Sequence, residues 1–165
     1  MNRTQNVLSC YKLFWTRAFD YHGRSTRKEF WHPFWINLVI SFLLAQFTHN
    51  VVDDIFSLII FVPTLTVMAR RLHDKNRTML LAVILNVIGL GATILDLTTG
   101  SFSIMSNEVT PMVTAYITAL AIFTVIVFIL TIYVIVLMCT KGDEKPNKYG
   151  DGGTYRLLNP TTTTE

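Results

Sequence analysis

The chain has 165 residues, enough for one compact domain, of which 51% are hydrophobic and only 15% charged, against roughly 25% charged in soluble domains. Lys+Arg 14 against Asp+Glu 11 gives +3 with neutral histidines, and the mean hydropathy is +0.42. These figures exclude a disordered chain, a collagen and a disulfide scaffold, argue against a soluble enzyme, and point to membrane architecture.

The first element is signalled by Val7, Leu8, Tyr11, Phe14, Trp15, Ala18 and Phe19, which recur at helical spacing with Lys12, Thr16, Arg17 and Asp20 opposite. This predicts an amphipathic helix within residues 1–25, either lying in the headgroup zone or packed on the ends of a bundle. No smooth apolar core precedes a small-residue cleavage site, so membrane entry is expected to use internal segments. Thr26-Arg27-Lys28-Glu29 reads as a capping box that opens a span from Phe30 to Phe47, with a kink or restart at Pro33. A second span runs from Ile55 to Met68, extendable to Val51 and Leu72, with Asp53 and Asp54 at its cap and a kink at Pro63. The third runs from Met79 to Leu97, where Gly89 and Gly91 permit close helix approach. The fourth, Ala115 to Cys139, carries no charge, and Thr110-Pro111 reads as its N-cap and first turn. Residues 140–165 form a tail whose end, Thr161 to Glu165, is expected to be disordered. The predicted fold class is an all-α membrane protein. Its four-transmembrane-helix bundle (26–139) follows an N-terminal amphipathic interfacial helix (1–25) and precedes a cytoplasmic tail (140–165).

Basic residues set the expected direction. Residues 1–33 hold six Lys/Arg, 69–77 hold four and 140–165 hold four, which accounts for all 14, while 48–54 and 98–114 carry only Asp53, Asp54 and Glu108. The positive-inside rule places both termini and the 69–77 link in the cytoplasm. Polar residues within the spans are Asn37, Gln46, Asn86 and Asp96, plus hydroxyls such as Thr124 and Thr131. Buried amides and hydroxyls of this kind usually join helices. An ion or proton path calls for ionisable groups near the midplane, and none is visible there. Cys10 and Cys139 read as small apolar fillers, and no metal-ligand spacing occurs. His22, His32 and His49 read as interfacial. No metal and no cofactor are expected.

Three motifs stand together in order: Phe19-x-x-x-Gly23-Arg24-x-x-Arg27-Lys28-Glu29-Phe30-Trp31, then Arg70-Arg71-Leu72-His73-Asp74, then Asn147-Lys148-Tyr149-Gly150-Asp151. Over roughly residues 10–152 the chain resembles the small bacterial inner-membrane family known only as a domain of unknown function (DUF805). It departs from the family at Lys75-Asn76-Arg77-Thr78-Met79, where a Ser-Gly-Trp-Trp-like stretch is usual, and at Gly152-Gly153, where a proline is usual. The resemblance implies four membrane helices and supplies no activity. Gly23, Glu29, Trp31, Asn147, Tyr149 and Gly150 are the motif's structural positions.

The expected topology brings Arg24, Arg27, Lys28, Arg70, Arg71, His73 and Asp74 to one membrane face. Arg70, His73, Asp74 and Arg77 would share a helical face. Guanidinium forks at one interface suit phosphate, which makes this set a candidate headgroup or phosphate site. The alternative is structural, with the cations anchoring helix ends and pairing with Glu29, Asp74 and Asp143. No nucleophile is placed beside His73-Asp74, so enzymatic use is not favoured. The leading expectation is a non-enzymatic membrane scaffold or interaction protein in the cytoplasmic (inner) membrane. A small oligomeric transporter or channel is the alternative, and a lipid-processing enzyme the third. Expected partners are membrane lipids, anionic ones above all, and a second copy or another membrane protein. Nucleic acid is not expected.

Overall fold

The computed structural model describes residues 6–47, 50–99 and 111–158. Among these residues six helices follow in order: α1 Val7–Thr16, α2 Arg27–Phe47, α3 Asn50–His73, α4 Leu80–Thr99, α5 Pro111–Cys139 and α6 Gly153–Leu158. Among the described residues there is no strand, only an isolated bridge between Asn147 and Gly150.

The capping box opens α2 as the sequence predicts. Thr26 N donates to Glu29 Oε2 (3.2 Å), and Glu29 N donates to Thr26 Oγ1 (3.3 Å). Helix α2 runs unbroken through Pro33, and α3 through Pro63, so neither proline divides its helix. Asp53 and Asp54 do not cap α3. The helix starts at Asn50 and places Asp53 in the first turn, where the positive end of the helix dipole favours a carboxylate. Pro111 is the first residue of α5, whereas Thr110, His49 and Thr161–Glu165 lie outside the described residues, as does the side chain of Asp96.

Among the described residues three helices are long and apolar enough to cross a membrane: α2, Val51–His73 of α3, and Thr118–Cys139 of α5. In α4 the described apolar stretch is shorter, Leu80–Ile94. Helix α3 is the centre of the arrangement, packed between α2 and α4. The core joins Phe14, Phe30, Val67, Ala69, Leu72, Ala82, Val134 and Met138. Helix α5 contributes little more than Val134 and Met138 and leaves Phe123, Phe128 and Ile129 exposed. At Gly89 and Gly91 an added Cβ would meet no atom of the described residues within 4 Å, so neither glycine is a close helix contact among them. Thr124 and Thr131 turn their hydroxyls back to Leu120 O and Val127 O of their own helix. Asn86 Nδ2 donates to Ala82 O (2.8 Å) in α4 and meets Met68 Sδ in α3.

Helix α1 is shorter than the apolar pattern, and its apolar residues divide between two faces. Cys10, Phe14 and Ala18 are buried, while Leu8, Trp15 and Phe19 are exposed. The buried side packs on α2 and α3. Tyr11 Oη donates to the buried Asn37 Oδ1 (3.3 Å), so this amide joins α1 to α2. Cys10 fills space as expected, but Cys139, the last residue of α5, is exposed.

Candidate functional site

The end of α3 collects three segments distant in sequence. Gly23 adopts φ +80, a region that suits glycine, and directs residues 23–26 across the α3 terminus. Ser25 N donates to Arg70 O (3.1 Å). From the other side, Asp143 N donates to Asp74 O (2.8 Å), and Asn147 Nδ2 donates to His73 O (3.0 Å). Arg70 O and His73 O also accept from Asp74 N and Asn76 N, so the incoming segments add a second donor to these two carbonyls, and Asp143 N serves Asp74 O just past the helix.

Asp74 is the hub. Its side chain is completely buried, as are those of Arg24 and Arg71. Oδ1 accepts from Arg24 Nε (2.9 Å) and from Thr154 N (3.0 Å). Oδ2 accepts from Arg71 Nη1 (2.5 Å) and from Thr154 Oγ1 (2.6 Å). Both oxygens are therefore saturated with strong donors. Three further donors of each guanidinium go to backbone oxygens. Arg24 donates to Lys145 O, Gly150 O and Asp143 O (2.9, 3.1 and 2.5 Å). Arg71 donates to Met138 O (3.3 and 3.2 Å) and to Thr140 O, capping the C-terminal end of α5, where cations suit the helix dipole. This arrangement is a buried Arg–Asp–Arg clasp.

Arg70 turns elsewhere. Its Nη1 donates to Arg17 O (3.1 Å) and Asp20 O (2.8 Å), closing the turn after α1. Arg70 is therefore not among the partners of Asp74, although their spacing suits a shared helical face. Asp74 lies three residues from Arg71 and takes that partner instead. Partial burial opposes ionisation of Asp20. The hydrogen bonds and charge of Arg17, with the charge of Arg70, outweigh it and hold this carboxyl below its ordinary range.

The other predicted residues fall around the clasp. Arg27 is exposed and reaches Cys139 O (3.3 Å), and Lys28 is exposed. Trp31 sits half-buried in an aromatic ladder with Phe30, Phe34 and Trp35. Asn147 Oδ1 accepts from Tyr149 N (2.9 Å), a turn that sets Tyr149 flat on His73, with ring centroids 3.7 Å apart at 9°. His73 Nδ1 lies 3.2 Å from Gly23 O. A carbonyl only accepts, so Nδ1 carries the proton. Lys148 Nζ stands 4.9 Å over the Tyr149 ring. Beside this stack is an open cleft of about 450 Å³ between the turn after α1, the start of α4 and the tail.

Sequence reasoning missed three contributors to the clasp: Gly142, Gly153 and Thr154. A Cβ at Gly142 or at Gly153 would overlap the Asp74 carboxylate, and Gly153 also has φ +62. The glycines after Lys141 and Asp151 were the available signal, but only the fold says what approaches them.

No solved structure matches the chain. "Inner membrane protein YhaH" of Escherichia coli strain K12 is 28% identical over 68 residues, which covers 35% of this chain and 56% of that protein. The protein of the same description from E. coli O157:H7 matches equally. The chain thus spans about half the length of these curated relatives. The family described as "Protein of unknown function (DUF805)" matches residues 18–151. That span runs from the turn after α1 through the clasp to the tail and takes in the long apolar helices, so this membrane-integral chain belongs to the DUF805 family.

Proposed function

We propose that the protein is a non-enzymatic scaffold or interaction protein of the inner membrane, whose basic cytoplasmic face meets anionic headgroups or a partner. In this reading α2, α3, α4 and α5 all cross the bilayer and both termini are cytoplasmic. The observation that carries it is the distribution of charge. Every Lys and Arg among the described residues lies in 12–28, 70–77 or 141–156, the segments that meet around the clasp. Cytoplasmic links are where such residues accumulate. Helix α4 has 20 residues, about 30 Å, which matches a bilayer core. The E. coli relatives are inner membrane proteins by name.

The clasp suits structure better than turnover. Asp74 has no free lone-pair direction for a substrate proton, and Arg24 and Arg71 are enclosed. Headgroup contact then falls to exposed cations such as Lys12, Arg27, Lys28 and Arg77. In this reading α1 rests at the interface, with Leu8, Trp15 and Phe19 toward lipid. Single-cysteine variants in intact cells test the topology. An impermeant maleimide should modify positions 53 and 105 from outside and leave 77 and 145 unmodified until the membrane is opened. Outside labelling at position 77 would overturn the reading.

A further inference from the structure

The basic residues fall into two groups: those enclosed by the clasp and its surroundings, and those left at the surface. The cleft beside the clasp is where free cationic and hydrogen-bonding groups meet a concave surface. Tyr21, His22, His73, Thr78, Lys148 and Tyr149 line most of it. No acidic side chain lines it among the described residues. The carboxylate bonded to a lining residue is Asp20, whose Oδ1 accepts from His22 N (3.2 Å) and which is paired with Arg17 (2.7 Å), while Asp74 is neutralised by two guanidiniums, so the clasp as a whole carries net positive charge. Lys148 is held over Tyr149, and Tyr149 is held by its stack on His73, so the ammonium is positioned by the fold.

The hydroxyls of Tyr21, Thr78 and Tyr149 add donors, and His22 adds a ring N–H. Several donors around one ammonium suit an anion with several acceptor oxygens. One wall is apolar. Met79 lines the cleft and Leu80 follows it, 41% and 60% exposed, at the point where the apolar α4 begins. A ligand with a charged head and an apolar body would satisfy both walls.

We infer that this cleft binds a phosphate ester, with the phosphate at Lys148 and His22 and any acyl chain leaving past Met79 along α4. The inference rests on the reading of this end as the headgroup-facing end, and it moves recognition away from the clasp arginines. Two sources supply such a group: an anionic phospholipid and a water-soluble phosphate ester.

The test is native mass spectrometry of the full chain in detergent with phosphatidylglycerol, with diacylglycerol as the comparison that lacks the phosphate. Wild type should retain phosphatidylglycerol preferentially. Lys148→Ala removes the charge and Thr78→Trp fills the cleft, and each should weaken retention by about tenfold or more, a loss of roughly 1.4 kcal/mol. Displacement by glycerol 3-phosphate at equal concentration would identify the phosphate ester alone as the ligand. Failure to displace would identify the lipid. A double variant, Arg27→Gln with Lys28→Gln, probes the exposed cations separately. If it loses phosphatidylglycerol while both cleft variants keep it, the cleft assignment is overturned and the surface reading stands. If no variant loses it, both fail. Loss in only one of the two cleft variants also overturns the assignment, because anion recognition in the cleft requires both its charge and its space.

Discussion

Asp74 sits in a fully buried position and accepts from two arginines and from both the amide and hydroxyl of Thr154. Buried charges are tolerated when every lone pair and proton is matched, and removing one partner leaves the others stranded. Asp74→Asn keeps the shape but leaves Arg24 and Arg71 without a counter-charge. It should lower stability by about 3–5 kcal/mol, read as a shift in SDS-induced unfolding of the detergent-solubilised protein. Because the clasp is enclosed, the difference from wild type should persist when salt rises from roughly 0.05 to roughly 0.5 M. An effect that vanished in high salt would mean the pair is solvated. Gly142→Ala should also destabilise, since its new methyl group would have to displace the Asp74 carboxylate.

Among the elements, α1 is the one whose placement is open to direct chemical test. Phe14 is 2% exposed and Cys10 only 1%, against α2 and α3. Burial raises the Cys10 thiol above its ordinary pKa, and the charge of Glu29 adds to this. The thiolate is the reactive form, so Cys10 is doubly protected. In a Cys139→Ser background, maleimide should modify Cys10 slowly, and only as α1 opens. Phe14→Ala should cost about 3–5 kcal/mol and accelerate that reaction. If Cys10 reacts as fast as the exposed Cys139 does in a Cys10→Ser protein, α1 is not docked.

For the whole molecule, the clasp makes the tail part of the fold. Arg24 takes three carbonyls from residues 143–150, and Asp74 takes two donors from Thr154. Truncation after Thr140 should therefore destabilise the protein at least as much as Asp74→Asn, although no membrane helix is touched. Size-exclusion profiles and SDS midpoints of the truncated chain would check this. A wild-type midpoint would show that the tail contributes nothing. The same closure explains how α5 can be held with so little side-chain packing. Its last carbonyls are gripped by Arg71, and the chain beyond it is pinned to α3.

The elements were legible in the sequence because lipid imposes a simple rule on a chain: long apolar runs become helices. Charge marked their ends, and the Thr26–Glu29 box marked the start of α2 to the residue. The motif residues could likewise be assigned to one end of the molecule, since short links force neighbouring helices to alternate. Partner choice was not legible. Sequence spacing allowed Asp74 to pair with Arg70 or Arg71, and gave no reason to prefer Arg24, which is 50 residues away. Nor could it reveal that Gly142 and Gly153 make room for a carboxylate. Such pairings depend on where three remote segments cross, and on which donors each crossing leaves unsatisfied. In water an alternative pairing costs little, but in an enclosed site each unmatched charge costs several kcal/mol. The tertiary structure therefore decided which arginines became enclosed, and which cations remained at the cleft and the surface.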